Sequence, residues 1–257
     1  MKGKRQALTE GDRRRTTSGL VRRPAGAHAV GTASALAALM GMAKFLKNNG
    51  LTLVLMAMFA ASLIGHWLMG WRVAVEELNR HGQPPIGAFA YLADPGFIST
   101  VFENWESEFL QMSVYVVLTA YLVQRGSSES KDPDAPERDV LPSSDPKAPL
   151  LSRRAGVAGW LYSHSLGMVL GLLFIASFVV HWIFSAKQAA QEAAEHGQAA
   201  AGLLAYLTEP QLWFESFQNW QSEFLSTAVL VVLSIFLRQK NSPESKPVAA
   251  PDAHTGA

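Results

Sequence analysis

The chain has 257 residues, a formal net charge of +1, 49% hydrophobic and 17% charged residues, and no cysteine. The lack of cysteine excludes disulfide frameworks, thiolate zinc sites, iron–sulfur clusters and a cysteine nucleophile. The near-neutral charge gives no reason to expect nucleic acid as a partner. Long apolar runs alternate with polar, proline-rich stretches, so the averages hide a very uneven chain.

Two apolar runs are long enough to cross a bilayer. Residues 51–71 and residues 166–184 each contain one ionisable group, His66 and His181 respectively. At a rise of about 1.5 Å per residue, each run spans the roughly 30 Å of bilayer hydrocarbon. The first run is too long for a secretory signal and has a copy in mid-chain, so both are predicted to be permanent membrane helices.

Two shorter apolar runs, residues 109–123 and 224–237, follow polar sequence with a helical pattern. Asp94 before Pro95 is a good helix start, and Thr208 could play the same part before Pro210. These signals predict two helices of about thirty residues. The first half of each would lie outside the membrane or along its surface, and the second half would cross it.

The chain contains an internal repeat. A shift of 115 residues aligns residues 44–131 with residues 159–246 without a gap, and 36 of the 88 positions are identical. The motif His66-Trp67 falls on His181-Trp182, and Asn104-Trp105 falls on Asn219-Trp220. The repeat predicts a tandem duplication of one two-helix unit.

The charge distribution predicts the topology. Lys and Arg concentrate before the first apolar run, in the central linker and in the tail, whereas residues 72–108 and 185–223 are acidic. The positive-inside rule therefore places both termini and the linker in the cytoplasm and gives the two copies the same orientation. Four tryptophans near the outer helix ends are predicted to be interface anchors: Trp67, Trp105, Trp182 and Trp220.

We therefore expect an all-α integral membrane protein with four transmembrane helices, arranged as two tandem parallel-repeat hairpins with helical extracytoplasmic loops. The loop helices would cover residues 72–81 and 187–196, closed by Gly82 and Gly197. The pattern Gly167 to Gly171 could mark close helix packing, although its counterpart, Thr52 and Met56, favours coincidence. The predicted segments are a disordered basic extension (1–43), the first repeat (44–131), a Pro-rich cytoplasmic linker (132–158), the second repeat (159–246) and a disordered tail (247–257). Met40 or Met42 could be the true start.

Six polar residues near the outer helix ends are the candidate site: His66, Asn104, Glu108, His181, Asn219 and Glu223. Ionisable groups inside a membrane cost about 2.5 to 3.5 kcal/mol at its centre, so each one requires an explanation. In a tight hairpin, histidine and glutamate could meet in each copy and bind a proton or a ligand. The interpretation that we favour is that they are interface anchors or interhelical hydrogen bonds, because the polar residues cluster at the helix ends and not at mid-membrane. A metal site would need His81 or His196 to converge as well, and no short histidine spacing supports one.

The stretches NNGL, HGQPP and FENWESEFLQM resemble a family of bacterial membrane proteins known only as a domain of unknown function. The resemblance covers about residues 43–133 and, more weakly, residues 160–246, and its most specific part is residues 104–111. The second copy departs from it, with Gln221 at the position of Glu106 and Ser226 at the position of Gln111. The resemblance implies a bacterial membrane location and no particular chemistry.

Enzyme motifs such as G-x-S-x-G, a phosphate-binding glycine loop or a dinucleotide fingerprint are absent from the sequence, so we predict neither an enzyme nor a cofactor. Two hypotheses remain. One is a structural or partner-binding component of the bacterial cytoplasmic membrane, in contact with the lipid bilayer and with a second copy of itself or another membrane protein. The other is a small transporter, channel or proton or ligand sensor that uses the paired His and Glu residues.

Overall fold

The structure, a computed structural model, describes residues 26–135 and 147–256. Every regular element in these residues is helical, which confirms the predicted all-α class. A 3-10 turn lies at Leu150–Arg153, between the third and fourth helices. The α-helices are α1 (Gly26–Arg80), α2 (Ala88–Tyr91), α3 (Pro95–Tyr121), α4 (Val157–Ser163), α5 (Ser165–Glu195), α6 (Leu203–Tyr206) and α7 (Pro210–Phe236).

Helices α1 and α5 are longer than the sequence predicted. Residues 26–43 are helical where disorder was expected, and residues 1–25 of that segment lie outside the described residues. The expected loop helices are continuations of α1 and α5, because the sequence contains no Gly or Pro between residues 71 and 80 or between residues 185 and 195. Gly82 and Gly197 follow the two helices with φ of +69° and +66°, as predicted.

The chain divides into two units within α1. Residues up to Ile64 form the first unit, and residues from Gly65 form the second. Over residues 38–64 of the first unit, most apolar side chains face outward, with Leu51 75% exposed and Met58 61% exposed. Outward-facing apolar side chains along such a stretch of helix are typical of a segment surrounded by lipid.

Within the described part of the chain, two helices are long and apolar enough to cross a membrane, α1 over Ala38–Arg80 and α5 over Ser165–Glu195. The expectation of four such helices is not met, because α3 and α7 lack an apolar stretch of sufficient length. Helix α3 ends at Tyr121, so its apolar half covers residues 109–121, about 20 Å against a hydrocarbon core of roughly 30 Å. Its first half carries Glu103, Glu106 and Glu108.

Helices α3 and α7 begin where the sequence indicated, at Pro95 and Pro210. The Asp94 side chain caps α3 by accepting the amides of Gly96 at 3.0 Å and Phe97 at 3.3 Å. The corresponding prediction for Thr208 is wrong. Its hydroxyl donates to the carbonyl of Ala205, and the residue before Pro210 is Glu209, which makes no side-chain cap.

The most extensive helix packing joins α3 to α5, although the predicted repeats assign these helices to different copies. Small residues allow this approach. The Ser113 hydroxyl donates to the carbonyl of Gly167 at 3.3 Å, and a Cβ on Gly167 would lie only 3.1 Å from Val117. A Cβ on Gly171 would lie 3.3 Å from the Ser113 hydroxyl. The two glycines therefore form a surface on which α3 packs closely. The expectation that their spacing is a coincidence is wrong.

The segments after α3 and α7 share one local structure, at positions 115 residues apart. Lys131 donates to the carbonyl of Ala120 near the end of α3, and Lys246 donates to that of Ile235 near the end of α7. Ser130 and Ser245 accept the amides of Gln124 and Gln239 at 3.0 and 2.9 Å. Gly126 and Asn241 both have positive φ. Each turn thus satisfies a carbonyl that the preceding helix leaves without a helical partner.

The tail after residue 246 was predicted to be disordered, but residues 247–256 pack against the segment after α3. The amide of Gly126 donates to the Thr255 hydroxyl, and the amide of Gly256 donates to the carbonyl of Ser127, both at 2.9 Å. Lys246 is 1% exposed, and its ammonium group needs acceptors because it is shielded from water. It bonds carbonyls of Gly126, Ile235, Pro251, Asp252 and His254. Of the predicted linker, residues 136–146 lie outside the described residues.

We predict that Gly167→Leu disrupts the α3–α5 packing. The larger side chain has to displace Val117, and overpacking of this kind costs about 1–3 kcal/mol of the free energy of unfolding. The matched control is Gly65→Leu, because a Cβ on Gly65 meets no atom within 4 Å. Thermal unfolding in detergent, followed by circular dichroism, measures both variants, and equal unfolding temperatures would contradict the prediction.

Candidate functional site

The candidate functional site is a buried histidine and carboxylate cluster, defined by His181 with Glu106 and Glu215. Helix α5 supplies His181, α3 supplies Glu106, and α7 supplies Glu215. The capped start of α3 fixes its register, and the helical spacing places Glu103 and Glu106 on one face. The same spacing places His181 and Ser185 on one face of α5.

His181 lies at the centre of the cluster and is bonded on both sides of its ring. Its Nδ1 is 2.7 Å from Oε2 of Glu106, and its Nε2 is 3.2 Å from Oε2 of Glu215. The side chains of His181 and Glu106 are 0% exposed, and that of Glu215 is 23% exposed. Burying charges is costly unless they are paired and hydrogen-bonded, which these contacts accomplish.

The remaining carboxylate positions are occupied by donors. The Trp220 indole donates to Oε1 of Glu106 at 2.9 Å. Oε1 of Glu215 accepts the Gln211 amide, and its Oε2 accepts the Ser185 hydroxyl, both at 2.8 Å. Tyr206 extends the network with its hydroxyl 3.0 Å from that of Ser185. Both carboxylates therefore lie among hydrogen-bond donors, an arrangement that favours their ionised form.

Glu103 lies beside the cluster and accepts a hydrogen bond from the Asn219 side chain. Burial, with repulsion from Glu215 and Glu106, raises the pKa of Glu103 to about 7. Glu215 shows the opposite balance. Burial acts to raise its pKa, but hydrogen bonds from His181, Gln211 and Ser185 hold the pKa of Glu215 below its ordinary value. The two carboxyl groups thus respond differently to pH.

Two of the six predicted site residues, His181 and Asn219, belong to this network. The imidazole of His181 bonds Glu106 and Glu215 where Glu223 was expected. His66 lies 3.3 Å from the Thr100 hydroxyl and packs on the Phe97 ring. The remaining three lie apart from the cluster: the Asn104 amide donates to the carbonyl of Thr100, and Glu108 and Glu223 lie close enough for their carboxylates to repel each other.

Three of the four tryptophans predicted as anchors contact another helix. The Trp67 indole donates to the carbonyl of Ala88 at 2.8 Å, and the Trp182 indole donates to that of Leu203 at 2.9 Å. These two bonds join positions 115 residues apart. Trp105 packs on Phe102, and Trp220 bonds Glu106. An interface role for these residues stays a prediction.

The two predicted copies differ at the cluster. The position of Glu215 is held by Thr100 in the first copy, and the position of Glu106 is held by Gln221 in the second. His66 therefore faces a hydroxyl where His181 faces a carboxylate. Sequence reasoning looked for residues shared by the copies and so missed Glu103, Glu106, Glu215 and Ser185. It also missed Tyr206, although Tyr91 is its equivalent in the first copy. The signal that could have found most of them is the opposite one, an ionisable side chain in one copy that has no equivalent in the other.

Among the residues that the structure describes, no group of three or more His, Asp or Glu side chains has the geometry of a metal site. The cluster has one nitrogen-bearing ring between two carboxylates. This arrangement of acceptors around a ring can bind a proton. A neutral imidazole donates from one nitrogen only, and here both nitrogens face carboxylate oxygens.

Comparison with known proteins gives one family. A family model described as a domain of unknown function (DUF6766) matches residues 42–257 in a single match. No curated protein and no solved structure matches the chain.

We predict that Glu106→Gln destabilises the protein much more than Glu108→Gln. The two positions are two residues apart on α3, but Glu106 is fully buried and Glu108 is exposed. Removing one partner of a buried ion pair costs about 3–5 kcal/mol, whereas a surface change stays within about 0.5 kcal/mol. Denaturant unfolding in detergent measures the difference. Similar losses in both variants would show that the cluster does not hold the helices together.

Proposed function

The chain belongs to the DUF6766 family, and we propose that it is a multi-pass component of the bacterial cytoplasmic membrane with a structural or partner-binding role. In this proposal four helices cross the membrane, and the histidine and carboxylate cluster connects the two tandem copies. The single observation that carries it is the exposure of apolar side chains along α1, α3, α5 and α7.

That exposure is extensive and occurs on all four long helices. A protein surrounded by water rarely exposes apolar patches of this extent, whereas a lipid-facing surface requires them. Side chains at least 44% exposed include Val54 and Leu55 of α1, Val117 and Leu118 of α3, Leu166 and Leu172 of α5, and Leu225 and Leu233 of α7.

The short apolar halves of α3 and α7 are compatible with a membrane location because their polar side chains find partners in neighbouring helices. The Gln111 amide of α3 donates to the Thr227 hydroxyl of α7, and Ser113 of α3 donates to Gly167 of α5. Hydrogen bonds between helices are the usual way to accommodate such groups in lipid. A bundle with α5 supports these halves as membrane segments.

Tandem copies are supported by local structure that recurs at a spacing of 115 residues. The Trp67 and Trp182 indoles bond carbonyls at equivalent positions, and so do Lys131 and Lys246. The two copies would have the same orientation, with both termini and the linker in the cytoplasm.

Single-cysteine labelling tests the number of crossings, and the chain offers a clean background because it has no cysteine. The exposed positions Ala93, Ala135, Ala200 and Ala249 follow α1, α3, α5 and α7 in turn. We expect a membrane-impermeant maleimide to label A93C and A200C in intact spheroplasts, and to label A135C and A249C only after permeabilisation.

The alternatives give different patterns. If only α1 and α5 cross, A93C and A135C will be labelled together on one side, and A200C and A249C on the other. If no helix crosses, all four will share one accessibility and the protein will not sediment with membranes. Either result would overturn the proposed topology.

A structural role is supported by the way the cluster uses its hydrogen-bonding capacity. Each carboxylate oxygen of Glu106 and Glu215 bonds a protein group from its own or a neighbouring helix. Polar networks that are fully bonded specify one packing of the helices. The cluster would therefore hold α3, α5 and α7 together.

The second candidate function is a small proton-linked transporter, channel or sensor. One observation favours it: a fully buried histidine between two carboxylates, close to the end of the apolar part of α5, is the type of group found in proton pathways. Glu103, with its pKa near 7, lies beside it.

Reconstitution tests this candidate. If the protein moves protons, liposomes that contain it and a trapped pH-sensitive dye will equilibrate an imposed pH gradient faster than empty liposomes, and His181→Gln will abolish the difference. The control is His66→Gln, because His66 has Thr100 in place of a carboxylate. A wild-type rate equal to that of empty liposomes would exclude transport and leave the structural role.

A further inference from the structure

We propose that His181, Glu106 and Glu215 form a single proton-binding site, in which an imidazolium joins α3 to α7 through α5. The ligand is a proton, and its release would remove one of the two connections. This site requires neither four membrane crossings nor proton transport. The labelling and liposome experiments can therefore fail while the proton site stands, and the reverse also holds.

The two bonds of the His181 ring determine how many protons the site holds. A neutral imidazole has one N–H donor and one bare nitrogen, and a bare nitrogen repels an ionised carboxylate. The structure brings a carboxylate oxygen to each nitrogen, at 2.7 Å and 3.2 Å. The two bonds can form together only if the site holds one proton more than a neutral ring and two ionised carboxylates.

The neighbours of the carboxylates place that proton on the ring. The Trp220 indole can only donate, so Oε1 of Glu106 has to accept. The Gln211 amide nitrogen and the Ser185 hydroxyl donate to Glu215 in the same way. These bonds leave only the carboxyl oxygens that face His181 able to carry a proton. Because the donors stabilise a charged carboxylate more than a neutral carboxyl, we assign the remaining proton to His181.

Burial of the ring opposes its positive charge, but the carboxylates that surround it favour a cation and outweigh that effect. The titratable groups that face His181 are Glu106 and Glu103 from α3 and Glu215 from α7. From α6, the Tyr206 hydroxyl reaches the site through Ser185, which lies one turn after His181 on α5. An imidazolium among these carboxylates has its charge compensated, whereas a neutral ring would leave the carboxylates to repel one another.

Release of the proton has a structural consequence. A neutral ring can donate to Glu106 or to Glu215 but not to both, so either the α5–α3 connection or the α5–α7 connection is lost. Since α3 belongs to the first predicted copy and α5 and α7 belong to the second, loss of the bond to Glu106 loosens the joint between the copies, and loss of the bond to Glu215 loosens the second copy itself. The first copy cannot duplicate this site, because Thr100 stands where Glu215 stands in the second.

The experiment uses the full-length protein in detergent with Gln at the six other histidine positions, so that His181 is the one ¹⁵N-labelled histidine. We expect nitrogen NMR at pH 7 to show both ring nitrogens protonated. Glu106→Gln or Glu215→Gln, introduced into this variant, should return the ring to one protonated nitrogen. Glu108→Gln, the same change at an exposed position of α3, should leave the ring unchanged.

A second measurement tests the connection between helices. The unfolding temperature should fall as the pH rises through the range in which the ring loses its proton, because the stability that the imidazolium contributes disappears there. Glu215 is partly exposed, so Glu215→Gln is expected to fold and should shift this fall to lower pH. A bare ring nitrogen at pH 7 in the parent variant would overturn the proposal. An unfolding temperature that stays constant while the ring deprotonates would do so as well.

Discussion

The arrangement of the helices depends on one buried ring that has to satisfy two carboxylates. His181 can bond Glu106 and Glu215 only if α3 and α7 approach α5 from two sides at the same level. Because an uncompensated charge at a fully buried position is very unfavourable, this requirement restricts the register of all three helices. Trp220, Ser185 and Gln211 then occupy the remaining oxygens, which leaves few alternative packings of comparable energy.

Close packing and hydrogen bonding support each other along α3 and α5. Gly167 and Gly171 remove the side chains that would keep α5 away from Val117 and Ser113. The polar cluster lies three turns further along α5, beside the first and more polar half of α3. The helix pair is therefore held by small residues where it is apolar and by charge where it is polar. This division suits a bundle whose outer surface exposes apolar side chains.

The two halves of the chain share local hydrogen bonds and turns but differ in the cluster where they meet. The indole bonds of Trp67 and Trp182, the lysines after α3 and α7, and the positive φ of Gly126 and Asn241 recur at one spacing. The cluster, by contrast, takes Glu106 from one half and His181 and Glu215 from the other. The site exists because the halves differ: Glu106 has Gln221 as its equivalent, and Glu215 has Thr100.

The sequence by itself determined what depends on local spacing and composition. It predicted helices from Pro95 and Pro210, the Asp94 cap, the glycines after α1 and α5, and the long apolar helices that contain His66 and His181. Local signals suffice for these because each depends on residues within a few positions of one another. Only the tertiary structure decided that α3 packs on α5, that residues 247–256 fold back on the segment after α3, and that Glu106 rather than Glu223 reaches His181. Those outcomes depend on contacts between residues about 75 to 130 positions apart, where side-chain volume and charge compensation, which sequence spacing does not reveal, select among the possible packings.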